Sequence, residues 1–230
     1  MSGLISHLKN KQLIWQASQR AINASAYTKH ATGIAELDHA LQGGFPNSGV
    51  VRINSTLGIG ELRLCMPVLQ QRQTDQRQLF ILAPPAVLNG EMLLEYGVAI
   101  ERTFFVEHHD ESDRLWACEQ CLKSGISHSV ILWQPSLTQS QAKRLQLAAE
   151  QGDCLLLLFQ PADQAQALPI SLSMQLARQQ QSLQVTITKQ RGGWPVPTFS
   201  ITQTLNTVRR RHHTINTTTD SNIIPLHAQR

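Results

Sequence analysis

Five short apolar runs recur through the middle of this chain with helix-sized polar segments between them: Val50-Val-Arg-Ile53, Leu79-Phe-Ile-Leu-Ala83, Thr103-Phe-Phe-Val106, Ser129-Val-Ile-Leu-Trp133 and Cys154-Leu-Leu-Leu-Leu-Phe159. Runs of this length are strand-sized, and their continuous apolarity means burial on both faces. Strands of that kind alternating with helices specify an α/β fold with a mostly parallel sheet between two helical layers. None approaches the roughly 20 residues needed to cross a bilayer. With 41% hydrophobic and 16% charged residues, the chain can build a core, and wholesale disorder is excluded.

The intervening segments predict helices from about Glu61 to Gln73, over 90–97, from an Asp113 cap through Lys123, and over 138–151. Later, Leu183, Val185 and Ile187 alternate with polar residues, as do Phe199 and Ile201, across Arg191-Gly-Gly-Trp-Pro-Val-Pro197. That pattern predicts a late antiparallel β-hairpin. Leu4, Leu8, Ile14, Trp15 and Ile22 are spaced as an amphipathic helix that must lie against the body or a partner. The expected division is an N-terminal arm over 1–30, a core over 31–204 and a disordered basic tail over 205–230.

Charge is distributed unevenly. Residues 1–30 carry +4, residues 31–205 carry −3, and residues 206–230 carry +3, for a net of +4. A slightly acidic body with basic ends is not a duplex-binding face. The tail run Arg209-Arg-Arg-His-His213 could touch phosphate or an acidic partner, or simply be solvated. The start, Met1-Ser-Gly-Leu-Ile-Ser-His-Leu-Lys9, has neither a basic n-region nor a long apolar stretch, so no signal peptide and a cytoplasmic location are expected. Four cysteines do not make a disulfide scaffold. Cys118-Glu-Gln-Cys121, just after His108-His109-Asp110, has zinc-like spacing, but on a helix both thiols share a face with Leu115 and Leu122. They are read as core, with no metal and no cofactor expected.

Three stretches carry a resemblance. Thr32-Gly-Ile-Ala-Glu-Leu-Asp38 through Gly43-Gly44-Phe-Pro46, followed by Val50–Ile53, is similar to the entry of RecA-type ATPase cores. The loop Ser55-Thr-Leu-Gly58-Ile-Gly60-Glu61-Leu62 sits where such cores have their phosphate-binding loop, and Lys189-Gln-Arg191 sits on their late hairpin. Adding Leu115–Gly125, Lys143–Ala149 and Lys189–Gly193, the chain resembles the ImuA family of RecA-like accessory proteins in translesion synthesis, over about 13–203. From about 61 to 161 it also resembles SulA, the SOS cell-division inhibitors. Thr32–Ile53 and the hairpin favour ImuA in this reading.

The resemblance implies a RecA-like three-layer core with a degenerate phosphate loop. ATP chemistry needs a lysine on the phosphates and a hydroxyl on Mg²⁺; here Ser55 replaces the first glycine, Glu61 the lysine and Leu62 the hydroxyl. Pro84-Pro85 and Gln134 stand at strand ends where acids are expected. The chain is therefore expected not to be an enzyme. Residues 160–169 lack the cations and aromatics that single-strand binding uses, so weak or no DNA binding is expected. The implied partners are an ImuB-like protein, RecA and, indirectly, an error-prone polymerase III alpha-type subunit. Lys189 and Arg191 would reach a RecA-bound nucleotide in trans, or are ordinary hairpin charges; Trp194 on the turn and Trp15 are candidate partner contacts. The alternative is a SulA-like inhibitor that binds FtsZ.

Overall fold

The computed structural model describes residues 29–201, apart from His108, His109 and Ala165. The expected N-terminal helix with Trp15, the basic tail and the His108-His109 pair lie outside the described residues.

The chain enters through β1 (Lys29–His30), which pairs antiparallel with β2 (Phe45–Pro46); α1 (Ala35–Ala40) lies between them. The Asp38 carboxylate accepts from the Thr32 backbone N–H at 2.6 Å and its hydroxyl at 2.7 Å, which ties the entry to α1. Gly44, at φ +112°, passes so close to β1 that a Cβ would stand 2.0 Å from the His30 carbonyl oxygen. Only glycine fits there.

The body alternates strands and helices. The strands are β3 (Gly49–Asn54), β4 (Gln78–Leu82), β5 (Thr103–Val106), β6 (Ser127–Trp133) and β7 (Leu155–Gln160). The helices are α2 (Glu61–Arg72), α3 (Gly90–Glu95), α4 (Glu111–Lys123) and α5 (Gln139–Gln151). Three further strands follow: β8 (Leu172–Gln179), β9 (Ser182–Gln190) and β10 (Val196–Ile201). They form one eight-stranded sheet in the order β10-β9-β8-β3-β7-β6-β4-β5. Strands β8, β3, β7, β6, β4 and β5 run parallel, and β9 is antiparallel to both its neighbours. The expected α/β class and late hairpin are present.

Two cores sandwich the sheet. Val51, Ile53, Ile81, Ile131 and Leu157 pack with Leu64, Met66 and Leu69 of α2 on one face. Val50, Leu132, Leu156 and Leu158 pack with Cys118 and Leu122 of α4 and Leu145 and Ala149 of α5 on the other. The alternating pleat explains why the leucine run of β7 feeds both cores.

The structure differs from the sequence reading at three places. The cap of α4 is Asp110, whose carboxylate accepts from the Ser112 and Asp113 N–H groups at 2.8 and 3.2 Å, so Asp113 lies inside the helix. Strand β8 carries no sequence signal because three of the five residues in its second half, Gln175 to Gln179, are polar and four are exposed. Helix α1 is a six-residue element with one buried side chain, Leu37, too short to show a period. Helix α5 starts as expected on Thr138, whose hydroxyl accepts from the Gln141 N–H while the Gln141 side chain accepts from the Thr138 N–H, a complete capping box.

Leu157 is fully buried in mid-sheet. Leu157→Ala is expected to lower stability by about 2–5 kcal/mol, measured by urea unfolding with an unchanged m-value.

Candidate functional site

The glycine loop between β3 and α2 is closed by the chain itself. Gly60, the residue before the helix, has φ +104° and Gly58 has φ +81°, so both need the left-handed freedom of glycine. Their amides point into one concavity, and the Glu61 carboxylate fills it. One oxygen accepts from the Gly58 N–H at 3.0 Å and the other from the Gly60 N–H at 3.1 Å. Glu61 is only 6% exposed. An anion at the start of a helix is stabilised by the free amides and the helix dipole; here the anion is a side chain of the helix's own first residue. Ser55 is buried, its N–H donating to the Gln160 carbonyl at 3.0 Å, while Leu62 packs against the α2-side core and Leu57 is exposed.

At the carboxyl ends of the central strands the side chains are neutral amides. Gln134, after β6, donates to the Glu111 carboxylate at 2.7 Å and to the Ser136 carbonyl at 3.1 Å. Gln160 donates to the Gln134 carbonyl at 3.2 Å, and Trp133 stacks on Phe159 with ring centroids 5.0 Å apart. Glu111 is thus the one carboxylate these bonds bring to the strand ends, and it enters through Gln134, from the start of α4.

The candidate hairpin cations are held intramolecularly. Lys189 donates to the Leu168 carbonyl at 2.6 Å, and Arg191 pairs with Glu150. Burial, then the Arg52 and Arg191 charges, push the Lys189 pKa below its usual value. Trp194 stands 86% exposed in the turn between β9 and β10.

Cys118 is fully buried against the sheet and Cys121 half-buried. Among the described residues no group of three His, Cys, Asp or Glu side chains could hold a metal ion. Burial raises all four thiols: Cys154 is pushed up to about 12, and Cys118 stands well above the ordinary range.

A different surface stands out, one not singled out among the site residues from the sequence. Among the described residues strand β5 pairs with β4 alone, which leaves its other edge open. Phe104 and Phe105 on it are 48% and 49% exposed, and Ile100 and Leu94 nearby in sequence are also exposed. Phe104 stacks on Phe80 with centroids 5.4 Å apart, which holds one ring in place. The signal was in the sequence: two adjacent phenylalanines on a four-residue strand cannot both face one core.

The comparisons bear on this half of the sheet. The family model described as "Cell division inhibitor SulA" matches residues 49–156. A SulA from Edwardsiella piscicida is 34% identical over 124 residues, covering 51% of this chain and 71% of that protein. The chain belongs to the SulA family. SulA from Pseudomonas aeruginosa is 33% identical over 93 residues, 40% of this chain and 58% of that protein. The Photorhabdus laumondii protein is 29% identical over 101 residues, 44% of this chain and 57% of that protein. The chain therefore spans under two thirds of the length of these last two relatives. The crystal structure of Pseudomonas aeruginosa SulA aligns over 48% of this chain and 97% of that chain, at 30% identity and a TM-score of 0.41.

These findings overturn the ImuA assignment and, with it, the translesion adaptor and its ImuB-like, RecA and polymerase partners. Of the segments weighed in its favour, the hairpin and all of Thr32–Ile53 except its last five residues lie outside the matched 49–156 core. Their structural duty is to build α1 and β2 and to extend the sheet past β3. Among the described residues no helix is long and apolar enough to cross a membrane.

Two outcomes are expected. Glu61→Ala should destabilise the protein by about 1.5–3 kcal/mol, because it removes a charged acceptor from two amides, and Glu61→Gln by less; thermal melting distinguishes them. Because burial raises Cys118 and Cys154, their thiolates form only as pH climbs well above 8. Modification of these two thiols by a thiol reagent in the native protein should be negligible at pH 7 and rise about tenfold per pH unit through pH 8–10, from the mass-action rise in thiolate.

Proposed function

We propose that this protein is a non-enzymatic cell-division inhibitor of the SOS type, and that it acts by binding FtsZ. The observation that carries the reading is the match of residues 49–156 to the inhibitor family, a segment that includes the open apolar edge on β5. An unpaired edge with Phe104, Phe105 and Ile100 exposed around it offers main-chain hydrogen bonds and apolar anchors together, the combination that strand-addition interfaces use. Inhibition by binding needs no catalytic group, and the Glu61 carboxylate on the Gly58 and Gly60 amides disfavours a phosphate there.

The finer fold reading that accompanies it is a RecA-like core over 31–204 with a degenerate phosphate loop. It is supported by the mid-sheet position of β3 between β7 and β8 and by the glycine loop that leads from it into α2. Trp194, on the far side of the sheet order, is a second candidate contact.

Expression of the full chain in a rod-shaped bacterium should produce filaments without septa, and the purified protein should slow FtsZ assembly and GTP hydrolysis. Phe105→Lys should weaken FtsZ inhibition at least tenfold while leaving the melting temperature within a few degrees, since the side chain is half exposed. Normal division at high expression, together with unchanged FtsZ assembly, would overturn the reading.

A further inference from the structure

The face of β3 opposite α2 carries two polar residues, Arg52 and Asn54, both at most 5% exposed. They are covered by residues 161–164 and 166–171, which contribute no strand or helix. This strap is held by side chains: carbonyls of every second residue accept from donors on the sheet. Ala162 accepts from Gln175 at 3.4 Å, Gln164 from Asn54 at 2.5 Å, Gln166 from Arg52 at 2.7 Å and Leu168 from Lys189 at 2.6 Å.

Two of those four donors are cations, and they are neighbours. Arg52 on β3 is in register with Ser173 on β8, and Ser173 with Lys189 on β9. Strand β9 bulges at this point, so that Thr188 and Lys189 both lie against Ser173. A bulge re-aims a side chain; this one brings Lys189 onto the Arg52 face. The Ser173 hydroxyl accepts from Arg52 Nε at 2.9 Å and from Thr188 at 3.0 Å.

What is missing is a negative charge. Arg52 bonds only to Ser173 and the Gln166 carbonyl, Lys189 only to the Leu168 carbonyl, and neither has a carboxylate partner among the described residues. The adjacent carboxylate, Glu150, is engaged with Arg191 and with the Gln146 amide. Among the described residues Arg52 Nη2 and Lys189 Nζ have no further acceptor. A buried guanidinium beside a half-buried ammonium, each facing neutral carbonyls, is an unbalanced arrangement. An oxyanion bonds to both more strongly than a carbonyl does.

We propose that Arg52 and Lys189, with Ser173 and Thr188 between them, form an oxyanion-binding site for a phosphate or carboxylate group, and that the Gln166 and Leu168 carbonyls of the strap hold the site until the anion displaces them. The site lies on β3, β8 and β9, on strands away from the β5 edge, and does not depend on FtsZ binding.

The test uses the full chain at constant ionic strength, with chloride exchanged for inorganic phosphate in one arm and for glutamate in the other. Melting temperature and hydrogen exchange of peptides spanning 161–171 are followed together. A saturable rise in melting temperature with faster exchange in the strap is expected in at least one arm. The phosphate arm alone responding identifies a phosphoryl ligand, the glutamate arm alone a carboxylate, and either supports the site. Lys189→Gln, which removes a side chain bonded to a single carbonyl, should weaken the response at least tenfold. Arg52→Lys should retain the fold and also weaken it. No saturable shift in either arm, a shift that Lys189→Gln leaves intact, or a shift without faster strap exchange would each overturn the proposal.

Discussion

Strand β3 is paired on both sides, to β7 and β8, and all six of its residues are buried. A strand so placed has no solvent to send its polar side chains to, and every one must find a partner inside the protein. On the α2 face this costs nothing, because Val51 and Ile53 are apolar. On the other face Val50 meets α5, but Arg52 and Asn54 lie where the cover is the strap instead of a helix. The placement of Gln164 and Gln166 therefore reads as a consequence of β3: carbonyls are the acceptors that two buried donors require, and residues without their own ladder have them to give.

The same protein solves two charge problems in opposite ways. At the glycine loop, backbone amides need an anion, and the first residue of α2 supplies one covalently attached. No ligand competes easily with a carboxylate already in place at effectively high local concentration. At the strap the groups needing an anion are cations, and the chain supplies only dipoles. The first arrangement is closed and the second is held by weaker partners. This contrast sets the proposed anion site apart from the glycine loop, which its own carboxylate has closed.

Much of the fold was legible. The five apolar runs fell on β3 to β7 because strands buried on both faces have no polar alternation to obscure them. Helix α5 fell within the expected 138–151, and the glycine loop fell between the expected strand Val50–Ile53 and the expected helix from Glu61. Strand β8 was missed because its outer half is exposed, and α1 because six residues hold less than two turns. At the candidate site the losses had another origin. Glu61 could be seen to repel phosphate, but that its carboxylate bends back onto Gly58 and Gly60 depends on left-handed torsions that no spacing reveals. Lys189 was noticed and Arg52 was not, since an arginine inside an apolar run reads as an interruption until the register puts it beside Ser173 and Lys189.

The sheet's edges set what remains available for binding. Within the family segment the outer strands are β3 and β5. In this chain β8, β9 and β10 continue the sheet beyond β3, so that strand has no free edge. Exposed edges recruit other strands unless covered or charged, and the three added strands cover one of the two. The other, β5, has no covering strand among the described residues, carries no charge along Thr103–Val106 and shows two phenylalanine rings. It is four residues long, a length that limits pairing with other copies. A short, apolar, uncharged edge anchored by the Phe80–Phe104 stack suits brief, specific strand addition by a partner better than a long flat one would.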